Sequence, residues 1–184
     1  MSAAPDLPVS RPAGDLPVSD SVQLLSFFLG GEEYAVDILR VQEIRVWERP
    51  TRLPSVPPFV KGVLNLRGEI VPVVDLRERF GLPAAPYGKQ TVVVVLQIEE
   101  AGRRRAMGAV VDGVSDVYTL ERGNLLEAPH VGGPIEADCV LGLGTVGEAM
   151  LIVLDVDRLF ALNRLLDGAL VATRPESISP GEIA

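Results

Sequence analysis

Asn65 and Arg67 stand at a tight turn between two short β-branched runs, flanked by Gly62 and Gly68. A guanidinium in that setting is matched to a carboxylate, pinned by backbone carbonyls, left for a partner, or simply solvated. The residue types that support catalysis are scarce by comparison. The chain holds one histidine, His130, and one cysteine, Cys139. A metal site needs clustered His, Cys and carboxylates, and here the Asp and Glu residues are scattered. Nucleophilic catalysis needs a base beside the nucleophile, and His130 reads as a surface residue of an irregular Pro/Gly segment. Gly142-Leu143-Gly144 is not followed by a phosphate-binding helix, which makes a nucleotide site a weak reading. No catalytic residue, metal or cofactor is expected. An enzyme is disfavoured without being excluded, since carboxylates distant in sequence can meet in a fold.

The elements that must position Arg67 follow from periodicity. Residues 60–80 read as two strands of a hairpin turning at Arg67-Gly68-Glu69. Asp75 and Glu78 stand as an N-cap and its capping-box partner, opening a short helical turn that closes on Gly81. A first hairpin is expected over residues 24–37 around Gly30-Gly31, then one or two helical turns at 37–44, then a strand at 43–47. Residues 49–58, rich in proline, form an extended loop. After the polar connector 81–90 come strands at 91–98 and 103–111, a bend and strand at 112–118, an irregular stretch at 119–139, and strands near 140–144 and 149–154. Asp155 caps a final helix. The pattern predicts a mostly-β fold of two small barrels, with the connector 81–90 dividing the strands evenly.

Composition narrows the function classes. At 184 residues the chain has material for one domain or two closely packed small ones. A net charge of -8 argues against a nucleic-acid partner. The lone cysteine excludes an internal disulfide. No apolar run reaches the ~18–20 residues of a membrane span, and no basic-then-apolar leader opens the chain. The expectation is a soluble, unexported protein without direct membrane insertion. Residues 1–21 read as a disordered tail in which DLPVS occurs twice, at 6–10 and 15–19.

Two segments resemble the CheW family of chemotaxis coupling proteins. They are Phe28-Leu29-Gly30 … Glu33-Tyr34-Ala35-Val36-Asp37-Ile38 … Val41-Gln42-Glu43-Ile44, and Pro58-Phe59-Val60-Lys61-Gly62-Val63-Leu64-Asn65-Leu66-Arg67-Gly68 … Pro72-Val73-Val74-Asp75-Leu76-Arg77. The likeness continues through Val111-Asp112-Gly113-Val114-Ser115-Asp116-Val117, Leu141-Gly142-Leu143-Gly144 and Met150-Leu151-Ile152, covering residues 22–167. It implies two SH3-like five-stranded β-barrel subdomains around a shared core, the first about 22–85 and the second about 90–150. A C-terminal helix at about 156–166 and a tail at 168–184 would follow. It implies an adaptor joining the cytoplasmic hairpin tip of a chemoreceptor to the regulatory domain of the histidine kinase CheA, in the cytoplasm at membrane-associated receptor arrays. By position, Val41, Glu43, Gly62 and Arg67 would face the receptor from the first barrel, and Val117 and Gly142 from the second. The resemblance further implies a Glu43–Arg67 ion pair, and it names no kinase-contact residue. Val41 and Val117 also read as plain core residues, and Gly62 as the glycine of a bulge or close strand approach. A scaffold of another chemosensory-type array, such as one for pili-based motility, is the alternative. An unrecognised β-barrel enzyme is the third reading.

Overall fold

The computed structural model describes residues 20–129 and 139–161. The DLPVS repeat, His130 and the expected helix beyond Ala161 lie outside them.

Three hairpins come directly from glycine turns. β1 (Ser21–Leu29) and β2 (Glu32–Asp37) meet at Gly30-Gly31, β4 (Val60–Leu66) and β5 (Glu69–Asp75) at Arg67-Gly68, and β6 (Val92–Glu100) and β7 (Arg103–Val111) at Ala101-Gly102. Both central residues of each turn have positive φ, the geometry whose twist suits a two-residue hairpin. β3 (Val41–Val46) follows a 3-10 turn at Ile38–Arg40, which Asp37 caps by accepting from the Leu39 amide. β8 (Gly113–Glu121), the two-residue β9 (Leu125–Leu126), β10 (Val140–Val146) and β11 (Ala149–Leu154) complete the strands. Two short helices, α1 (Leu76–Arg79) and α2 (Val156–Phe160), are capped alike. Asp75 and Asp155 each accept from the amides of the second and third residues of the helix. Glu78, expected to close a capping box, has its carboxylate paired with Lys61.

The described strands form two sheets, of order β3-β6-β7-β5-β4 and β8-β1-β2-β11-β10-β9. The mostly-β expectation holds, with the second sheet gaining a sixth strand in β9. The expected boundary at 81–90 does not hold. β1 and β2 lie with the C-terminal strands, and β6 and β7 lie with β3, β4 and β5. The reason is pairing. β2 runs parallel to β11 through Tyr34–Ile152 and Ala35–Val153, while β5 runs parallel to β7 through Val73–Gly108. The connector therefore joins two strands of one sheet. It is fastened there by Tyr87, which stacks on Trp47 at 4.0 Å and donates to Asp75 Oδ2 at 2.7 Å.

The two sheets repeat one another. Across β4–β5, Gly62 faces Val73 and Asn65 faces Ile70; across β10–β11, Gly142 faces Val153 and Thr145 faces Met150. Each first strand has its register shift beside the glycine. A central core is shared, drawing Phe27, Tyr34 and Leu154 from one sheet and Val74, Leu96 and Met107 from the other, with Leu76 and Phe80 at α1 and Leu159 and Phe160 of α2. Each sheet also has its own smaller core, around Val71, Val93 and Val95 in one and Leu24, Leu151 and Val153 in the other.

The Tyr87 hydroxyl is pushed above its ordinary pKa, first by burial and then by its bond to Asp75. A raised tyrosine contributes stability that is complete below the unfolded pKa near 10 and is lost as pH rises beyond it. Tyr87→Phe should cost about 1 kcal/mol in urea denaturation at pH 7. That difference should narrow from about pH 10 upward, because only the parent carries the titration.

Candidate functional site

Arg67 occupies the first central position of its hairpin turn with φ 52, in the left-handed region that costs a non-glycine residue about 1 kcal/mol. Asn65 supports the turn, its side-chain oxygen accepting from the Gly68 amide at 2.9 Å. The turn carries Arg67 outward, its side chain 77% exposed, and its guanidinium pairs with Glu43 on β3. Glu43 is itself only 21% exposed, and its other oxygen accepts from Arg45 at 3.2 Å. Arg45 in turn reaches Glu48 at 3.0 Å. The result is an alternating chain, Arg67–Glu43–Arg45–Glu48, that links the β4–β5 turn to strand β3 at the edge of the five-stranded sheet. Hydrogen bonds to Glu43 and Glu48 hold the Arg45 guanidinium above its ordinary pKa. Arg45 Nε is buried without a partner among the described residues. The sequence reading missed Arg45 and Glu48. Its available signal was the period-two spacing of Glu43 and Arg45, which places both on one face of a strand.

Gly62 lies in the same sheet at the β4 bulge, with φ +136. Here the chain leaving β3 returns to β4, Thr51 bridging Val63 through reciprocal backbone bonds of 2.9 and 2.8 Å. A Cβ at Gly62 would stand 2.0 Å from the Thr51 carbonyl oxygen. Close approach thus accounts for the glycine. Gly142 repeats this on β10, where a Cβ would lie 2.4 Å from the Leu126 oxygen of β9.

Val41 and Val117 separate. Val41, across the bulge from Glu43, is partly buried against the shared core, in keeping with a packing role. Val117 on β8 is 46% exposed, which removes the core explanation for it. The structure therefore brings Glu43 and Arg67 into contact and places Val41 and Gly62 in the same sheet. Val117 and Gly142 lie in the six-stranded sheet.

Residues 23–164 match the model of the CheW-like domain. The chain is 43% identical over 157 residues to a chemotaxis protein CheW of Klebsiella aerogenes, covering 85% of this chain and 90% of that protein. It is 32% identical over 139 residues to a probable chemotaxis protein CheW of Rhizobium etli, covering 76% and 87%. Among solved structures it resembles the scaffolding protein TtCheW of Thermoanaerobacter tengcongensis. That match has a TM-score of 0.67 and 28% identity, over 82% of this chain and 92% of the other.

The glycines give graded expectations for stability. Gly62→Ala must displace backbone and should cost more than about 2 kcal/mol in thermal unfolding. Gly68→Ala has φ +88 but open space around its Cβ, and should cost about 1 kcal/mol. Equal losses at the two positions would show that the Thr51 bridge yields freely.

Proposed function

The chain belongs to the CheW-like family, and from that membership we propose that it is a chemotaxis adaptor working without bond chemistry. It would hold the hairpin tip of a chemoreceptor and the regulatory domain of the histidine kinase CheA in one assembly. Binding of either partner would then bias the other through a shared free energy. Its place in this reading is the cytoplasmic face of a receptor array. No helix among the described residues is long and apolar enough to cross a membrane.

The observation that carries the receptor contact is the Arg67–Glu43 pair. The arginine takes a strained turn conformation that presents a largely exposed guanidinium, and a mostly buried carboxylate anchors it. Arg45 holds that carboxylate from the far side, so the charge is oriented before a partner arrives. Gly62 and Val41 lie in the same sheet and would line the first wall with it, and the exposed Val117 with Gly142 would supply the second.

Arg67→Ala should weaken binding of a soluble receptor-tip fragment about tenfold, measured by titration calorimetry. Its unfolding free energy should change by less than about 1 kcal/mol, as an exposed pair requires. Unchanged affinity would sink the groove role. Co-sedimentation with receptor-bearing membranes, with and without the kinase, tests the adaptor reading as a whole. Recovery of neither partner would count against it.

A further inference from the structure

Among the described residues the chain passes between the two sheets twice. It goes from β2 to β3 through the 3-10 turn at Ile38–Arg40, and from β7 to β8 through Asp112. Each passage is gripped by a two-pronged ion pair from a helix. Arg77 of α1 donates to Asp112 from Nε at 3.1 Å and Nη2 at 2.6 Å. Arg40 donates to Asp157 of α2 from Nη1 at 3.0 Å and Nη2 at 2.7 Å. In both pairs the aspartate also takes a backbone amide from a hairpin. Asp112 accepts from Gly30, in the β1–β2 turn of the six-stranded sheet, and Asp157 accepts from Glu99, near the end of β6 in the five-stranded sheet. Each cluster therefore ties elements of both sheets at the point where the chain crosses.

The two clusters are built with opposite polarity. Arg77 and Asp157 both stand two residues after a capping aspartate, Asp75 and Asp155, on helices that follow equivalent hairpins. At one crossing the helix brings the base and the passage the acid; at the other the charges are exchanged. Seating α1 at the wrong crossing would set Arg77 against Arg40, and seating α2 wrongly would set Asp157 against Asp112. Like charges in partly buried positions oppose that exchange between two closely similar hairpin–helix units. The side chains are 19–33% exposed, so solvent screens these pairs less than it screens Arg67.

We infer that Arg77–Asp112 and Arg40–Asp157 are positioning pairs that fix the setting of one sheet against the other. The inference rests on the receptor reading for its consequence, because the candidate surface draws Glu43 and Arg67 from one sheet and Val117 and Gly142 from the other. A change in the angle between the sheets would take that surface apart without touching any of its residues.

The test places spin labels at the exposed positions Gln42→Cys on β3 and Thr119→Cys on β8 of the full chain and reads the distribution of distances between them. Arg77→Gln and Arg40→Gln should each broaden or shift that distribution and weaken binding of a receptor-tip fragment about three- to tenfold. The double variant should do more of both. Arg77→Lys and Arg40→Lys, which keep the charge but lose the two-pronged geometry, should fall between. They also serve as the readout if either glutamine variant does not fold. Leu66→Ala, which weakens the five-stranded sheet's own core, is the control for lost stability and should leave the distribution narrow. Unchanged distributions in the single and double variants, or equal broadening in the control, would overturn the positioning role. Broadened distributions with undiminished affinity would uphold it and overturn the receptor-facing surface instead.

Discussion

The parallel pairing of β2 with β11 is the constraint on which the rest of the molecule depends. Through Tyr34–Ile152 and Ala35–Val153 the first hairpin completes a sheet whose other strands come from the far end of the described chain. Without that pairing β11 loses a neighbour, and the small core of Leu24, Ala35, Leu120, Leu151 and Val153 loses two of its members. The shared core loses Phe27, Leu29 and Tyr34 at the same stroke. The contact is non-local, so its chain-closure entropy must be met before its apolar burial returns anything. Everything between the two strands, including the whole five-stranded sheet, is an excursion from this joint.

Within that frame the two sheets solve one local problem in one way. A strand must curve enough to receive a third segment across its outer edge, and it does so at a bulge where the approaching carbonyl leaves no room for a Cβ. Thr51 approaches Gly62, and Leu126 approaches Gly142. Curvature by bulge and glycine is a recurrent device in small sheets. What differs is the hairpin tip: one sheet has Arg67-Gly68 there and the other Gly147-Glu148. The scaffold is repeated, and the chemistry presented on it is not.

Much of this was legible in the sequence. Gly30-Gly31, Gly68 and Gly102 marked the hairpins because positive φ in a two-residue turn favours glycine, and Asp75 and Asp155 marked the helices because their side chains accept from amides the helix itself leaves unpaired. Which strand joins which sheet was not legible. Alternation of apolar residues states that a face is buried but does not name the neighbour across the hydrogen bonds, so an even division at residues 81–90 was natural and wrong. β9 was missed because two residues carry no period, and Thr51 because a single bridge between proline-rich stretches has no pattern. The ion pair of Glu43 with Arg67 came from family resemblance. Its extension through Arg45 to Glu48 is a property of one strand edge seen in three dimensions. The capping-box reading of Glu78 failed because the Asp75 amide it would accept from donates to the Phe59 carbonyl instead, while the Glu78 carboxylate pairs with Lys61.

The placement of the first hairpin also has a meaning in time. During synthesis β1 and β2 emerge early, while β11 follows roughly 6–25 s later at ordinary elongation rates of about 5–20 residues per second. Through that interval the edge of β2 has no partner, and a two-stranded hairpin on its own is only marginally stable. Another nascent copy carries the same strand and the same vacancy. A hairpin whose partner strand comes from so far along the chain can take that strand from a neighbouring copy, so exchange of this element is a form of misassembly the topology permits.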